Sequence, residues 1–224
     1  TRGGWRSLMN DPQVRLFLIL VAGLVILLSW HLTQTGQGFG NAFRQSSFNA
    51  VSIMTGTGYV SANYSAWGGF ASTVLLMTMF IGGCGGSTTC GIKVFRLQVL
   101  AATARVQISR LLRPHAVVLA YYNRRPVTPE VMDSVMGFFY LYILGFVMIA
   151  ILLGMMGLDF VTALSGAATS ISNVGPGLGV VIGADGNFST LPDSAKWVMS
   201  FGMLLGRLEI FTVLVMLNPG FWQR

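Results

Sequence analysis

The sequence predicts an all-α integral membrane protein made of two copies of one unit: an apolar span, a short re-entrant helix ending in a glycine-rich turn, and a second span. Three observations carry this. Of 224 residues, 53% are hydrophobic and only 9% charged, with mean hydropathy +0.67. A soluble domain has about 25% charged residues, so the charge here cannot cover a water-facing surface. Residues Val135 to Met156 form 22 consecutive uncharged residues, enough to cross a bilayer core. Finally, the order span, short helix, glycine-rich turn, span occurs twice at an offset of 117 residues, which lays Gly58 on Gly175 and "NAVSIMTGTGY" on "GAATSISNVGP".

The elements follow in order. The first span runs from about Val14 to Leu32. "GNAFRQSSFNAVSIM", residues 40 to 54, is mildly apolar and rich in small residues. As a helix it would be about 22 Å long at about 1.5 Å per residue, shorter than a spanning helix, so it is predicted to be re-entrant. "TGTGYV" follows, then a polar stretch with Asn63 and Tyr64. The apolar segment from Ala71 to Ile108 has 38 residues, far more than a span needs, and "GGCGGSTTCG" interrupts it near its middle. A basic loop with Arg105, Arg110, Arg113, His115, Arg124 and Arg125 comes next, and Pro126 and Pro129 lie at its end. After the 22-residue span, "LDFVTALSGAATSI" repeats the short helix and "SNVGPGLG" the turn. A polar stretch then leads to a last span from about Ala195 to Leu217, which contains Arg207 and Glu209. The expected divisions are a membrane repeat over 1–108, a basic cytoplasmic loop over 109–130 and a second membrane repeat over 131–224. The opening "TRGGWRSLMNDPQ" has no initiator Met and no signal-cleavage pattern, and reads as the middle of something longer.

The formal net charge is +7. Arg2, Arg6 and Arg15 lie before or at the start of the first span, and six more basic residues run from Arg96 to Arg125. Only Arg44 and Lys196 lie on the side of the short helices. This asymmetry places the N-terminus, central loop and C-terminus in the cytoplasm, with both turns entering from outside. The positive charge is a topology signal, and no nucleic-acid partner is expected. The spans hold no His cluster or Ser–His–Asp set, so no enzyme is expected. His31 and His115 sit at apparent membrane edges, where an interfacial role suits both.

"FIGGCGGSTTCGIKVF", residues 80 to 95, admits three readings. As a phosphate loop, Gly86 and Gly91 have the G-x-x-x-x-G spacing, but Ile92 stands where the lysine is needed and Lys93 is one residue late. As a metal site, Cys84 and Cys90 lack an accompanying His or carboxylate. As a break in a membrane helix it fits, because freed backbone groups need partners and Ser87, Thr88 and Thr89 bring hydroxyls.

"TGTGY" and "NVGPG" each follow a short helix. Glycine permits the positive φ that lets successive carbonyls point toward one axis, and rings of such carbonyls replace the hydration shell of a monovalent cation. The alternative is an ordinary re-entrant loop that holds no ion. Neither turn carries an acidic ring, which argues against a divalent cation. Arg207 lies within the last span, where an arginine marks an ion path or a paired site, or else snorkels to the cytoplasmic edge. Its guanidinium is expected to bond carbonyls of the Gly82–Gly91 loop. Glu209 is two residues on and points elsewhere on a helix. Asp159 and Asp185 are read as solvated outer turns, and Lys93 as a membrane-edge lysine or a second charge near the loop.

Together "TGTGYV", "GGCGGSTTCGIKV", "SNVGPGLG" and "GRLEIFTVLVML" resemble the membrane subunits of bacterial Trk-type potassium uptake systems, within the wider Trk, Ktr and HKT cation transporters. The resemblance covers nearly the whole chain but only the second half of the family's protein, its third and fourth repeats. It implies a potassium-channel-like fold in the bacterial inner membrane, with potassium as the substrate and no cofactor in this chain. Carried over by position, the filter is Thr55, Gly56, Thr57, Gly58 and Tyr59 with Asn173, Val174, Gly175 and Pro176, flanked by Gly177. Potassium is expected at Thr57, Gly58, Val174 and Gly175. The gate is Gly82, Gly83, Gly85, Gly86 and Gly91 with Arg207. The implied partners are membrane lipid, a second copy in a homodimer, and a cytosolic nucleotide-binding regulator with RCK domains, TrkA-like. The competing expectation is a non-conducting half-subunit or scaffold, because two repeats supply only two sides of a fourfold filter.

Overall fold

The computed structural model describes residues 10–113, 118–123, 125–208 and Val215. Arg2, Arg6, His115, Arg124 and Glu209 lie outside the described residues, as does most of the last span beyond Leu208. The described chain holds seven α-helices: α1 Pro12–Gln34, α2 Phe39–Met54, α3 Gly69–Met79, α4 Val94–Leu112, α5 Pro129–Met155, α6 Phe160–Ser172 and α7 Asp193–Arg207. Short 3-10 turns occupy Tyr64–Trp67 and Phe188–Thr190. One departure from an all-α chain stands in the basic loop. Tyr121–Tyr122 (β1) pairs antiparallel with Arg125–Pro126 (β2), and Asn123 takes the left-handed backbone at the turn with φ 48°. Asparagine tolerates that conformation, which suits a turn.

Local chemistry sets the helix ends. Pro12 opens α1, where a missing N–H costs nothing, and Asp11 accepts the Gln13 N–H at 2.8 Å. Pro129 opens α5 in the same way. Asp159 caps α6 by accepting the Thr162 N–H at 3.1 Å. Asp159 is therefore a helix cap as well as a turn residue, and Thr162 holds its carboxyl below the usual carboxylate range. α6 stops at Asn173, in the left-handed region at φ 52°.

Among the described residues, α1 and α5 are long and apolar enough to cross a membrane, with hydropathy 2.4 over their best windows. Only 22% of each window is buried within the chain, so neither is the core helix of a soluble protein. Leu18, Ile19, Ile26 and Trp30 of α1, and Tyr140, Ile143, Met148 and Ile151 of α5, face outward. Apolar surface of this extent suits a hydrocarbon solvent.

Two apolar cores hold the helices. The first joins Leu28 and Leu32 of α1, Ala50 and Ile53 of α2, and Leu75 and Met79 of α3, and takes in Ala168, Val174 and Leu178 from the second repeat. The second joins Phe138, Tyr142, Ile149 and Leu153 of α5 with Ala163, Ala167 and Ile171 of α6, and Ala195 and Met199 of α7. Packed polar pairs join span to short helix in each repeat: Ser29 Oγ to Ser46 Oγ at 2.5 Å, and Tyr142 Oη to Ser172 Oγ at 2.7 Å. The two short helices differ in enclosure. Every residue of α6 from Ser165 to Ser172 is buried, whereas α2 leaves Phe39, Phe43, Phe48 and Val51 exposed.

The cap at Asp159 makes a testable difference. Asp159→Ala is expected to cost about 1 kcal/mol at pH 7, read as a lower melting temperature in detergent. Because the folded carboxyl is held low, its contribution is present above the ordinary aspartate range near pH ~4 and is lost as the pH falls through the folded value. The two proteins should therefore melt more nearly together at pH ~3 than at pH 7.

Candidate functional site

Each short helix delivers its chain into a tight turn, and the two turns meet. In the first, Thr57 N–H donates to Ser52 O at 2.9 Å and Gly56 N–H to Ile53 O at 3.1 Å. In the second, Val174 N–H donates to Thr169 O at 3.1 Å and Gly175 N–H to the Thr169 hydroxyl at 2.9 Å. The amides thus turn back onto their own helices, which leaves the carbonyls facing away. Among the described residues, no hydrogen bond is donated to the carbonyls of Thr55, Gly56, Thr57, Gly58, Asn173, Val174, Gly175 or Pro176. Tyr59 differs: its carbonyl accepts the Ser52 hydroxyl at 2.6 Å, so it braces the turn and is not free. Gly177 is engaged as well, because its carbonyl accepts the Tyr64 hydroxyl at 3.1 Å. Burial pushes that phenol up to about 12, so it stays a donor at any physiological pH.

The turns approach at backbone distance. Gly58 has φ +76°, and a Cβ there would stand 2.5 Å from the Val174 carbonyl oxygen and 3.3 Å from Pro176 Cδ. Gly175 has φ +111°, and a Cβ there would stand 3.6 Å from the Gly58 Cα. Both positions need glycine for two reasons at once, the positive φ and the neighbouring turn. Asn173 spends its side chain on tethering, since its Nδ2 donates to Met203 O of α7 at 3.0 Å.

The chain between α3 and α4 is a closed loop beneath the first turn. Gly82 N–H donates to Ile92 O at 2.9 Å, Ile92 N–H to Phe80 O at 2.9 Å, and Val94 N–H to Gly83 O at 3.0 Å. The sequence suggested that Ser87, Thr88 and Thr89 hydroxyls satisfy the broken backbone. At the neck this job falls to the backbone itself, through the parallel Ile81–Ile92 bridge. Gly82 and Gly91 form that neck, where side chains at Gly82 and Gly91 would meet the Cys90 and Phe80 carbonyls. Gly83, Gly85 and Gly86 lie within the loop. A Cβ on Gly56 would stand 3.7 Å from the Thr89 methyl, which puts the loop against the filter-like turn.

Arg207, at the end of α7, reaches this loop. Its Nη1 donates to Thr88 O at 2.6 Å and to Cys90 Sγ at 3.5 Å. Arg207 thus bonds one carbonyl of the Gly82–Gly91 loop, that of Thr88. Gly206 allows the approach, since a side chain there would strike the Ile171 carbonyl of α6. Thr88, Cys90, Lys93, Arg96, Tyr142 and Arg207 line a cavity of about 150 Å³. Arg96 also lies over the Phe138 ring, 3.7 Å from its centroid. Among the described residues, no group of three His, Cys, Asp or Glu side chains is placed to hold a metal ion.

Three contacts escaped the sequence reading. His31, read as an interfacial residue, bonds the Trp67 carbonyl at 3.0 Å and stacks obliquely on Phe70, so it ties α1 to the start of α3. Asp185, read as a solvated turn, accepts from Asn63 Nδ2 and joins the outer loops of the two repeats. Gln13 Oε1 accepts the Gly85 N–H at 2.7 Å. Each partner lies 36 or more residues away in sequence, and no local pattern marks such a pair. The crowding at Gly58 gives a direct check. Gly58→Ala should destabilise the protein by about 1–3 kcal/mol, whereas Gly40→Ala, with open space around it, should be neutral or slightly stabilising. Paired thermal melts read the difference.

The sequence matches the TrkH cation transport protein family over residues 4–223. It is 45% identical over 224 residues to the Trk system potassium uptake protein TrkI of Halomonas elongata, covering 100% of this chain and 45% of that protein. It is 35% identical over 219 residues to the Trk system potassium uptake protein TrkG of Escherichia coli, covering 97% of this chain and 44% of that protein. The crystal structure of the potassium transporter TrkH from Vibrio parahaemolyticus superposes with a TM-score of 0.87 at 37% identity, over 96% of this chain and 46% of that one. The chain thus spans a little under half the length of these relatives. Matched along almost all of its own length, in sequence and in fold, the chain belongs to the TrkH family of cation transport proteins.

Proposed function

We propose that this chain forms half of a potassium pathway across the bacterial inner membrane, with Thr55–Gly58 and Asn173–Pro176 supplying carbonyls to its filter. The observation that carries this is the meeting of two turns whose carbonyls receive no hydrogen bond, directly above a loop held by Arg207. A dehydrating potassium ion needs oxygen ligands that are not already occupied, and the carbonyls of Thr57, Gly58, Val174 and Gly175 meet that requirement. Tyr59 and Gly177 shape the turns from behind. α2 and α6 end at the turns, so the partial negative charge of their C-termini favours a cation there. The potassium named for the relatives supports the choice of ion.

The Gly82–Gly91 loop obstructs the path below the filter, and Arg207 latches it. The guanidinium places a fixed positive charge by the path while bonding Thr88 O. Opening requires that this bond break. The wide loop and the short filter suit gated passive flux, and symport would need a coupling site on the remaining repeats. The basic ends and central loop lie in the cytoplasm, where an RCK-type regulator docks, and a second copy completes a homodimer.

One observation favours the narrower reading that the chain conducts only with the rest of the protein. α6 is enclosed, but α2 presents Phe39, Phe43, Phe48 and Val51 unburied beside the first turn. A pore helix with an open apolar face lacks its neighbours, and two turns close only part of a filter.

Rubidium-86 uptake into proteoliposomes tests the proposal, with this chain alone and with the first two repeats restored. Uptake is expected with the repeats restored and is abolished by Gly58→Ser. Uptake that survives Gly58→Ser would remove the filter assignment. In the conducting form, Arg207→Ala should raise uptake several-fold, since a charge-assisted hydrogen bond contributes about 1.5–3 kcal/mol. Unchanged or lower uptake at normal expression would sink the latch.

A further inference from the structure

The loop is held from two sides. Arg207 of α7 takes Thr88 O on one side. On the other, the Gly85 N–H donates to Gln13 Oε1 of α1 at 2.7 Å. Between these anchors the loop makes its own turn, with Ser87 N–H donating to Cys84 O at 3.1 Å.

Gln13 is itself fixed. Its backbone N–H donates to the capping carboxylate of Asp11 at 2.8 Å. The carbonyl of its neighbour Pro12 accepts Gln98 Nε2 from α4 at 2.8 Å. A Cβ on Gly85 would stand 3.0 Å from Gln13 Oε1 and 3.5 Å from the Phe95 ring, so the fit is close. The hairpin also reaches this point. Tyr122 of β1 stands near the Gln13 side chain. Gln13 therefore stands where the start of α1, the cytoplasmic hairpin and the intramembrane loop converge. An amide side chain suits the place, because its oxygen accepts from the loop.

We propose that Gln13 is a positioning residue for the loop, holding its Gly85 side as Arg207 holds its Thr88 side, so that displacing the start of α1 or the hairpin loosens the loop. The consequence for ion flux rests on the gate proposed above, whereas the attachment itself does not.

The test uses the assembled protein in liposomes and two readouts on each preparation. Cys84, next to Gly85, is labelled with a membrane-impermeant methanethiosulfonate, and its modification rate is followed by peptide mass spectrometry. Rubidium-86 flux is measured alongside. Gln13→Met keeps the side-chain length and removes the acceptor, and Gln13→Glu restores it. Gln13→Met is expected to speed Cys84 labelling about three- to ten-fold, the effect of one lost hydrogen bond, and to raise flux. Gln13→Glu should label at the parent rate. Faster labelling with unchanged flux upholds the attachment and overturns the loop as the barrier. Labelling of Gln13→Met at the parent rate overturns the proposal, as does equal acceleration in Gln13→Glu. If Gln13→Met does not assemble, Gln13→Ala is read in the same way.

Discussion

Backbone that leaves the helix inside an apolar protein must find hydrogen-bond partners within the molecule, and much of this structure answers that demand. Water is absent from the core of a bilayer, and an unpaired backbone group there costs several kcal/mol. The chain leaves the helical path at two turns and one loop, and each departure solves the problem differently. In the turns, amides fold back onto the helix that delivered them, with the Thr169 hydroxyl helping in the second. In the loop, the segments that form its neck pair with each other through one bridge. The carbonyls of Thr55 to Gly58 and of Asn173 to Pro176 are left without a donor among the described residues.

The same demand explains the placement of the polar side chains. Ser52 secures the end of the first turn through Tyr59 O, and Ser165 accepts the Leu178 N–H at 3.0 Å. Tyr64 crosses from the first repeat to Gly177 O in the second. These hydroxyls sit on or beside the short helices, and in the second the small side chains of Gly166, Ala167 and Ala168 let backbones approach closely. The loop depends on longer reach. Arg207 and Gln13 come from different helices and bond opposite sides of it. A segment held by a few such bonds has a lower opening energy than the packed helices around it.

The two repeats share a plan but not an environment. α6 is wrapped by α5, α7 and the first repeat, whereas α2 keeps one apolar side open. The chain spans a little under half of its relatives' length. Within it, the second short helix is enclosed and the first keeps an apolar side open.

Helix class, the two long apolar helices and the break at 82–91 were legible in the sequence because each rests on local features: uncharged runs, and glycines where a helix cannot continue. The pairing of Arg207 with the loop was legible for an electrostatic reason, since a guanidinium within a span must find acceptors and broken backbone offers them. Which carbonyls stay free was not. Tyr59 looks like its neighbours in "TGTGYV", and only the position of Ser52 across the turn removes it from the set. The hairpin at Tyr121–Pro126 was equally hidden, because two-residue strands carry no periodicity. Gln13, His31 and Asp185 owe their roles to partners at least 36 residues away. Sequence alone determined where the chain can cross a membrane and where it must bend, because those depend on hydrophobicity and on glycine. Tertiary structure decided which groups meet at the bends, because a hydrogen bond between distant segments depends on ångström-scale placement that no local pattern encodes.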